Sequence, residues 1–294
     1  MLDTAFDPIL SLEARDHYEE WQVPGPALPS SGQHAFLLCK YLDNVALGDI
    51  RVQDFGGWRC RIGLIYMASS TVMEPELYAM APNGVAICTT RTRLPKMTVA
   101  GLEQMTASDD LERCTGDLAR ADLHVITYGG TSASFLKGTE WDRSMKARMA
   151  AVSGGIPVTT TSSASVAALR ALGAKRIFFA SPYIPEIVER GRSYFSEAGF
   201  DVAGAIGMNM NDDHEIGRVT PETVYDFVRK SASPKADAVF ISCTNLQTVR
   251  VIAALEDDLK MPVVSAIQAS FWQSLRIAGV RDNLSGFGRL FDHS

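Results

Sequence analysis

Several features are absent from this chain of 294 residues, and each absence narrows what it can be. No apolar run reaches the roughly 20 residues of a membrane helix, which excludes a membrane partner of that kind. The first residues, Met-Leu-Asp-Thr-Ala-Phe-Asp, lack the basic start and apolar core of a secretory signal. Cys39, Cys60, Cys88, Cys114 and Cys243 form no Cys-x-x-Cys pair and no metal-type spacing. Free thiols in a reduced, cytoplasmic setting are therefore expected. An excess of positive charge is missing too. Lys and Arg total 28 against 34 Asp and Glu, a net charge of −6, which argues against a nucleic-acid partner.

What is present is a regular alternation. Hydrophobic residues make up 46% and charged residues 21%, the balance of a globular protein. Residues 1–55 stand apart, with short helices expected at 16–21 and 34–42 around a Pro- and Gly-rich loop. They read as an extension that wraps the core or serves a subunit contact, which leaves a homo-oligomer open. From residue 61 onward, apolar runs predict strands at 62–67, 84–88, 123–128, 158–159, 176–180, 202–206, 238–242 and 262–265. Amphipathic stretches between them predict helices at 75–81, 98–119, 134–153, 163–172, 185–198, 220–231, 246–259 and 266–278. Continuous apolar strands alternating with helices indicate an α/β fold with parallel sheets covered on both faces. Ligands in such folds bind beyond the carboxyl ends of the strands.

The pattern also repeats. Residues 125–132 and 239–245 are each a buried strand running into a loop of small residues, and their overlay sets Gly130 opposite Cys243. Residues 65–70 and 178–183 overlay at the same offset. Two related lobes follow, one from 56–157 plus 262–294 and the other from 158–261.

Cys243 is the leading candidate for chemistry. With a helix expected to start just after it, the partial positive charge there would favour its thiolate. Gly129, Gly130, Thr131 and Ser132 allow close backbone approach and bring two hydroxyls, a cradle for a carboxylate. The same stretch is no nucleotide fingerprint, since it has neither G-x-G-x-x-G nor a phosphate-loop lysine. Tyr183 stands at the matching strand tip as a phenolic donor. Ser69 and Ser70 offer further hydroxyls, with Glu74 and Glu76 read as favouring the next helix start. Arg91 and Arg93 are either solvated or carboxylate-binding. Asp212, Asp213, His214 and Glu215 read as a solvated turn rather than a metal site.

These motifs resemble the aspartate/glutamate racemase superfamily, in the branch of maleate cis–trans isomerase and arylmalonate decarboxylase. The resemblance spans about residues 61–278. It rests on Ser-Ser-Thr-Val-Met-Glu-Pro-Glu at 69–76, Thr-Arg-Thr-Arg-Leu-Pro at 90–95 and Tyr-Gly-Gly-Thr-Ser at 128–132. Ser-Pro-Tyr at 181–183, Glu-Ile-Gly-Arg at 215–218 and Ser-Cys-Thr-Asn at 242–245 complete it. It implies two pseudo-symmetric lobes with the active site between them and no cofactor. Racemases and isomerases of the superfamily use two facing cysteines. Here the second matches Cys243 and the first falls at Gly130. An isomerase Asn that binds substrate carboxylate falls at Ser70. Both departures resemble the decarboxylase, whose oxyanion cradle matches Thr131, Ser132, Tyr183 and the Cys243–Thr244 backbone. Thr244-Asn245-Leu246, by contrast, is isomerase-like, and makes Thr244 and Asn245 candidate substrate contacts.

Two-base racemisation needs an acid and a base on opposite faces, and Gly130 removes one. Thiolate addition would need the missing first cysteine. The reading is therefore a cofactor-independent, single-cysteine decarboxylase acting on a small dicarboxylic acid. An isomerase and a non-catalytic carboxylate binder are the alternatives.

Overall fold

The computed structural model describes residues 56–293. The expected extension at 1–55, with its two helices, Cys39, His17 and His34, lies outside the described residues. The first half builds β1 (Cys60–Met67), α1 (Met73–Met80), β2 (Val85–Thr92), α2 (Val99–Ala107) and α3 (Asp110–Leu118). It continues with β3 (Val125–Tyr128), α4 (Thr131–Phe135), α5 (Thr139–Val152), β4 (Val158–Thr160) and α6 (Thr161–Ala171). The second half builds β5 (Arg176–Tyr183), α7 (Pro185–Glu197), β6 (Asp201–Met210), α8 (Asp213–Gly217) and α9 (Pro221–Ser231). β7 (Ala238–Ile241), α10 (Ile252–Leu259), β8 (Val263–Ser265) and α11 (Ala266–Ile277) close the chain.

These strands form two parallel sheets, ordered β2-β1-β3-β4 and β6-β5-β7-β8. The second order is the first displaced by four strands, so the repeat read from the sequence is a repeat of topology. β3, β7 and β8 are buried along their whole length, as strands with helices on both faces must be. Helix starts follow from short polar side chains. Thr98, Thr160, Thr220 and Ser265 each accept a backbone N–H of the first turn, and Ser265 forms a reciprocal capping box with Gln268.

Strand pairing corrects two expectations. The strand near 158, expected to open the second lobe, pairs with β3 in the first sheet. The strand near 262, expected in the first lobe, pairs with β7 in the second. Only the helix that follows it, α11, packs on α6, α1 and β3. The repeat offset also shifts. Ile65 pairs with Tyr128 and Ala180 with Ile241, so Ile65 corresponds to Ala180 rather than Phe178 once Gly130 is set on Cys243. An even shift preserves which face each side chain takes, so the hydrophobic pattern could not detect it.

Two expected helices are broken. The one at 98–119 divides at Ser108, whose extended backbone is fixed by its hydroxyl, donating to the Met105 carbonyl and accepting from Asp110 N–H. The one at 134–153 divides at Gly138, with φ at +84°, a conformation glycine adopts at little cost. The helix expected from 246 begins only at Ile252, after a 3-10 turn over Val249–Val251. No helix among the described residues is long and apolar enough to cross a membrane.

Candidate active site

β7 ends at Ile241 and delivers Ser242 and Cys243 to the carboxyl edge of the second sheet. Cys243 is 2% exposed. Its φ of +116° is far from the usual range of a residue with a Cβ, so the thiol is held by a strained backbone. The backbone N–H of Asn245 donates to Sγ at 3.3 Å. The expected thiolate is not what this environment favours. Helix α10 starts well beyond Cys243, so the helix expected to begin just after it supplies no positive charge to the sulfur. Burial, with the nearby Asp213 charge adding to it, pushes the thiol up to about 12. At neutral pH Cys243 is a proton-bearing thiol.

β3 delivers Gly129 and Gly130 to the same place in the first sheet. The tips adjoin, because Thr244 Oγ1 donates to the Gly129 carbonyl at 2.9 Å. A side chain at either glycine would collide with its surroundings. A Cβ on Gly130 would lie 2.6 Å from Met67 Cε and 2.7 Å from Tyr128 Cε1, and one on Gly129 would lie 2.7 Å from Met73 Sδ. A first cysteine would thus need the flexible end of Met67 and the edge of the Tyr128 ring to shift. After Gly130 the backbone is held by Ser134, whose hydroxyl donates to the Gly130 carbonyl at 2.8 Å, and by Ser162, which donates to the Thr131 carbonyl at 3.2 Å.

Thr131 and Ser132 are buried at this edge, and Thr131 Oγ1 finds no partner among the described residues. Ser132 Oγ has a weak contact, 3.7 Å to Met97 Sδ. The Tyr183 hydroxyl comes in from β5 and lies beside Ser242, Cys243 and Ser132. Its complete burial, and the neighbouring Cys243, hold the phenol well above its usual value, so it remains a donor. Ser242 Oγ is a second buried hydroxyl without a partner among the described residues. Buried polar atoms are rarely left unpaired, so this concentration at one point marks a place for a polar ligand.

The rest of the predicted set has a different job. Asn245 is a bridge: its Oδ1 accepts from Thr71 N–H at 3.0 Å and Val72 N–H at 3.3 Å, while its Nδ2 donates to the Asp213 carbonyl at 2.7 Å. The side chain is consumed in tying three segments together. Tyr66 supports the same junction, accepting from Val72 and Met73 N–H and donating to the Thr244 carbonyl at 3.2 Å. Arg91 is partly solvated, its side chain 39% exposed, and its donors are used within the chain. It donates to the Ser70 carbonyl at 2.7 Å, pairs with Glu74 and lies over the Tyr66 ring. Arg93 lies outside the cluster, paired with Asp110. His124 accepts from Arg61 N–H and is structural.

Sequence reasoning missed Asp213. The sequence pattern predicts a solvated turn here, yet Asp213 is 8% exposed. Ser69 Oγ and Ser70 Oγ both donate to its Oδ2, at 2.6 and 2.7 Å. The hydroxyl of Ser70 therefore serves a carboxylate of the chain itself. One signal was available. Asp212 caps α8, and Asp213 and Ile216 share one helix face three residues apart, with Ile216 wholly buried.

A family model described as arylmalonate decarboxylase matches residues 62–291. The arylmalonate decarboxylase of Bordetella bronchiseptica is 34% identical over 180 residues, 60% of this chain and 75% of that relative. The maleate isomerase of Geobacillus stearothermophilus is 27% identical over 243 residues, 78% of this chain and 96% of the relative. Among solved structures, a mutant of the Nocardia farcinica maleate cis-trans isomerase holds a covalently bound succinylcysteine intermediate. It matches with a TM-score of 0.74 at 26% identity, over 79% of this chain and 98% of that one. The branch and the two-lobe fold expected from the motifs are those found.

Proposed function

The chain belongs to the arylmalonate decarboxylase family, an enzyme family, and from that membership we propose that it decarboxylates a small malonate-type acid without a cofactor, using Cys243 as proton donor. The observation that carries this reading is the protonated, buried thiol at the carboxyl edge of the sheets, one residue before the Thr244 hydroxyl that bonds the Gly129 carbonyl. One substrate carboxylate accepts from the Tyr183 hydroxyl and from the hydroxyls of Thr131 and Ser132. The other leaves as carbon dioxide. The electron pair of the broken C–C bond passes to the α-carbon and spreads into an enediolate, whose oxygens the same donors stabilise. Cys243 then transfers its proton to the α-carbon from one face. The resulting thiolate, buried and close to Asp213, is a strong base and recovers a proton from water.

Thiolate addition suits this site less well, because it needs an ionised sulfur at rest and burial disfavours one here. The test is carbon dioxide release from 2-aryl- and 2-alkylmalonates, with maleate in parallel. Release is expected from a malonate, with a fall of at least about a hundredfold in Cys243→Ala, since general acid catalysis contributes that much. Turnover that persists in Cys243→Ala, or conversion of maleate without gas release, would refute the proposal.

A further inference from the structure

Asp213 is the one carboxylate that reaches this cluster from α8, and only half of it is satisfied. Oδ2 accepts from Ser69 and Ser70, and the Asp213 carbonyl accepts from Asn245. Oδ1 is buried and has no partner among the described residues. No cation pairs with Asp213 among the described residues. A buried carboxylate oxygen without a donor is costly, and a ligand that supplies one removes that cost. The two other unpartnered atoms nearby, Thr131 Oγ1 and Ser242 Oγ, are hydroxyls that can donate. The cluster thus has two kinds of end, with donors beside Tyr183 and Cys243 and an acceptor-only oxygen at Asp213.

We infer that Asp213 is a specificity residue, selecting a substrate that carries a hydroxyl or amino group and rejecting one that would place a second carboxylate there. The chemistry is directional. A carboxylate oxygen can accept from O–H or N–H but can only repel another carboxylate, and in a buried setting that repulsion is weakly screened. The substrate class is accordingly a hydroxy- or amino-substituted malonate, with one carboxylate in the Thr131–Ser132–Tyr183 cradle and the donor on Asp213 Oδ1. This rests on the proposed function for its cradle, while its own prediction concerns recognition.

Recognition can be measured without turnover. Lactate, 3-hydroxypropionate, propionate and succinate would be titrated by calorimetry into the native full chain and into Asp213→Asn. The native chain is expected to bind at least one hydroxy acid about tenfold or more tightly than propionate, the effect of a hydrogen bond to a charged group. Asp213→Asn is expected to lose most of that preference and to gain affinity for succinate. Equal binding of hydroxy acids and propionate by the native chain overturns the inference, as does a preference unchanged in Asp213→Asn. The native preference alone decides the matter if the variant does not fold. A hydroxy-acid preference without carbon dioxide release would refute the decarboxylase reading and leave this one standing. Release without the preference would do the reverse.

Discussion

A cysteine at φ +116° costs about 1–3 kcal/mol of backbone strain, which the surrounding fold must overcome. Glycine relieves that strain and alanine does not. Cys243→Gly is therefore expected to be more stable than Cys243→Ala by about 1 kcal/mol, although it removes more side chain. Urea unfolding of the two variants checks this, and equal midpoints would show that the backbone stores nothing. Gly130, Thr131, Ser132, Tyr183 and Cys243 were legible as candidates because each lies at or within a few residues of a strand end, and strand ends are marked by apolar runs stopping. The engagement of Asn245 was not legible. Its partners, Thr71, Val72 and Asp213, are far away in sequence, and an amide can equally well hold a ligand or a backbone. The same is true of Ser70, whose hydroxyl is spent on Asp213.

At the scale of elements, α1 does more than cover a sheet. The sequence pattern assigns its Glu76 to favouring the helix start. Instead it reaches the segment after Cys243, accepting from Thr248 N–H at 2.9 Å and Val249 N–H at 3.2 Å. Burial raises this carboxyl from its ordinary 4.5 to about 7, against the opposing effects of those hydrogen bonds and of Arg250. The folded chain therefore holds the proton more firmly than the unfolded chain. That contribution to stability is complete below about pH 4.5 and is lost as the pH rises through about 7. Glu76→Gln keeps an acceptor for the two N–H groups and removes the titration. Thermal melts between about pH 5 and pH 8 should show the native chain losing stability relative to Glu76→Gln as the pH rises. Parallel curves would count against the coupling. Element breaks show a similar limit of the sequence. Gly138 and Ser108 each stand inside a helical hydrophobic pattern, and the pattern continues across the break because both halves pack on the same core.

In the whole molecule, the contacts that assemble the site are also contacts between the two halves of the chain. Thr244 to Gly129, Tyr66 to Thr244, Asn245 to Thr71, Glu76 to Thr248 and Ser70 to Asp213 all cross from one half to the other. Many of these groups are buried, so separating the lobes would leave them unpaired at about 1–3 kcal/mol each. The lobes should consequently unfold together. A single transition, coincident by tyrosine fluorescence and by far-ultraviolet circular dichroism, is the expected result. Two resolved transitions would mean that the shared junction is weaker than its hydrogen bonds imply.

The sequence by itself determined the α/β class, the doubled topology, the family branch and the lone thiol opposite a glycine. These depend on local patterns: apolar runs of strand length, small residues at strand tips, and a repeat that can be overlaid. The tertiary structure decided which sheet takes β4 and β8, that Cys243 keeps its proton, and that Asp213 faces the cluster. The physical reason is common to all three. Strand partners, desolvation and the approach of a distant carboxylate are set by what surrounds a residue in space, and residues far apart in the chain supply those surroundings.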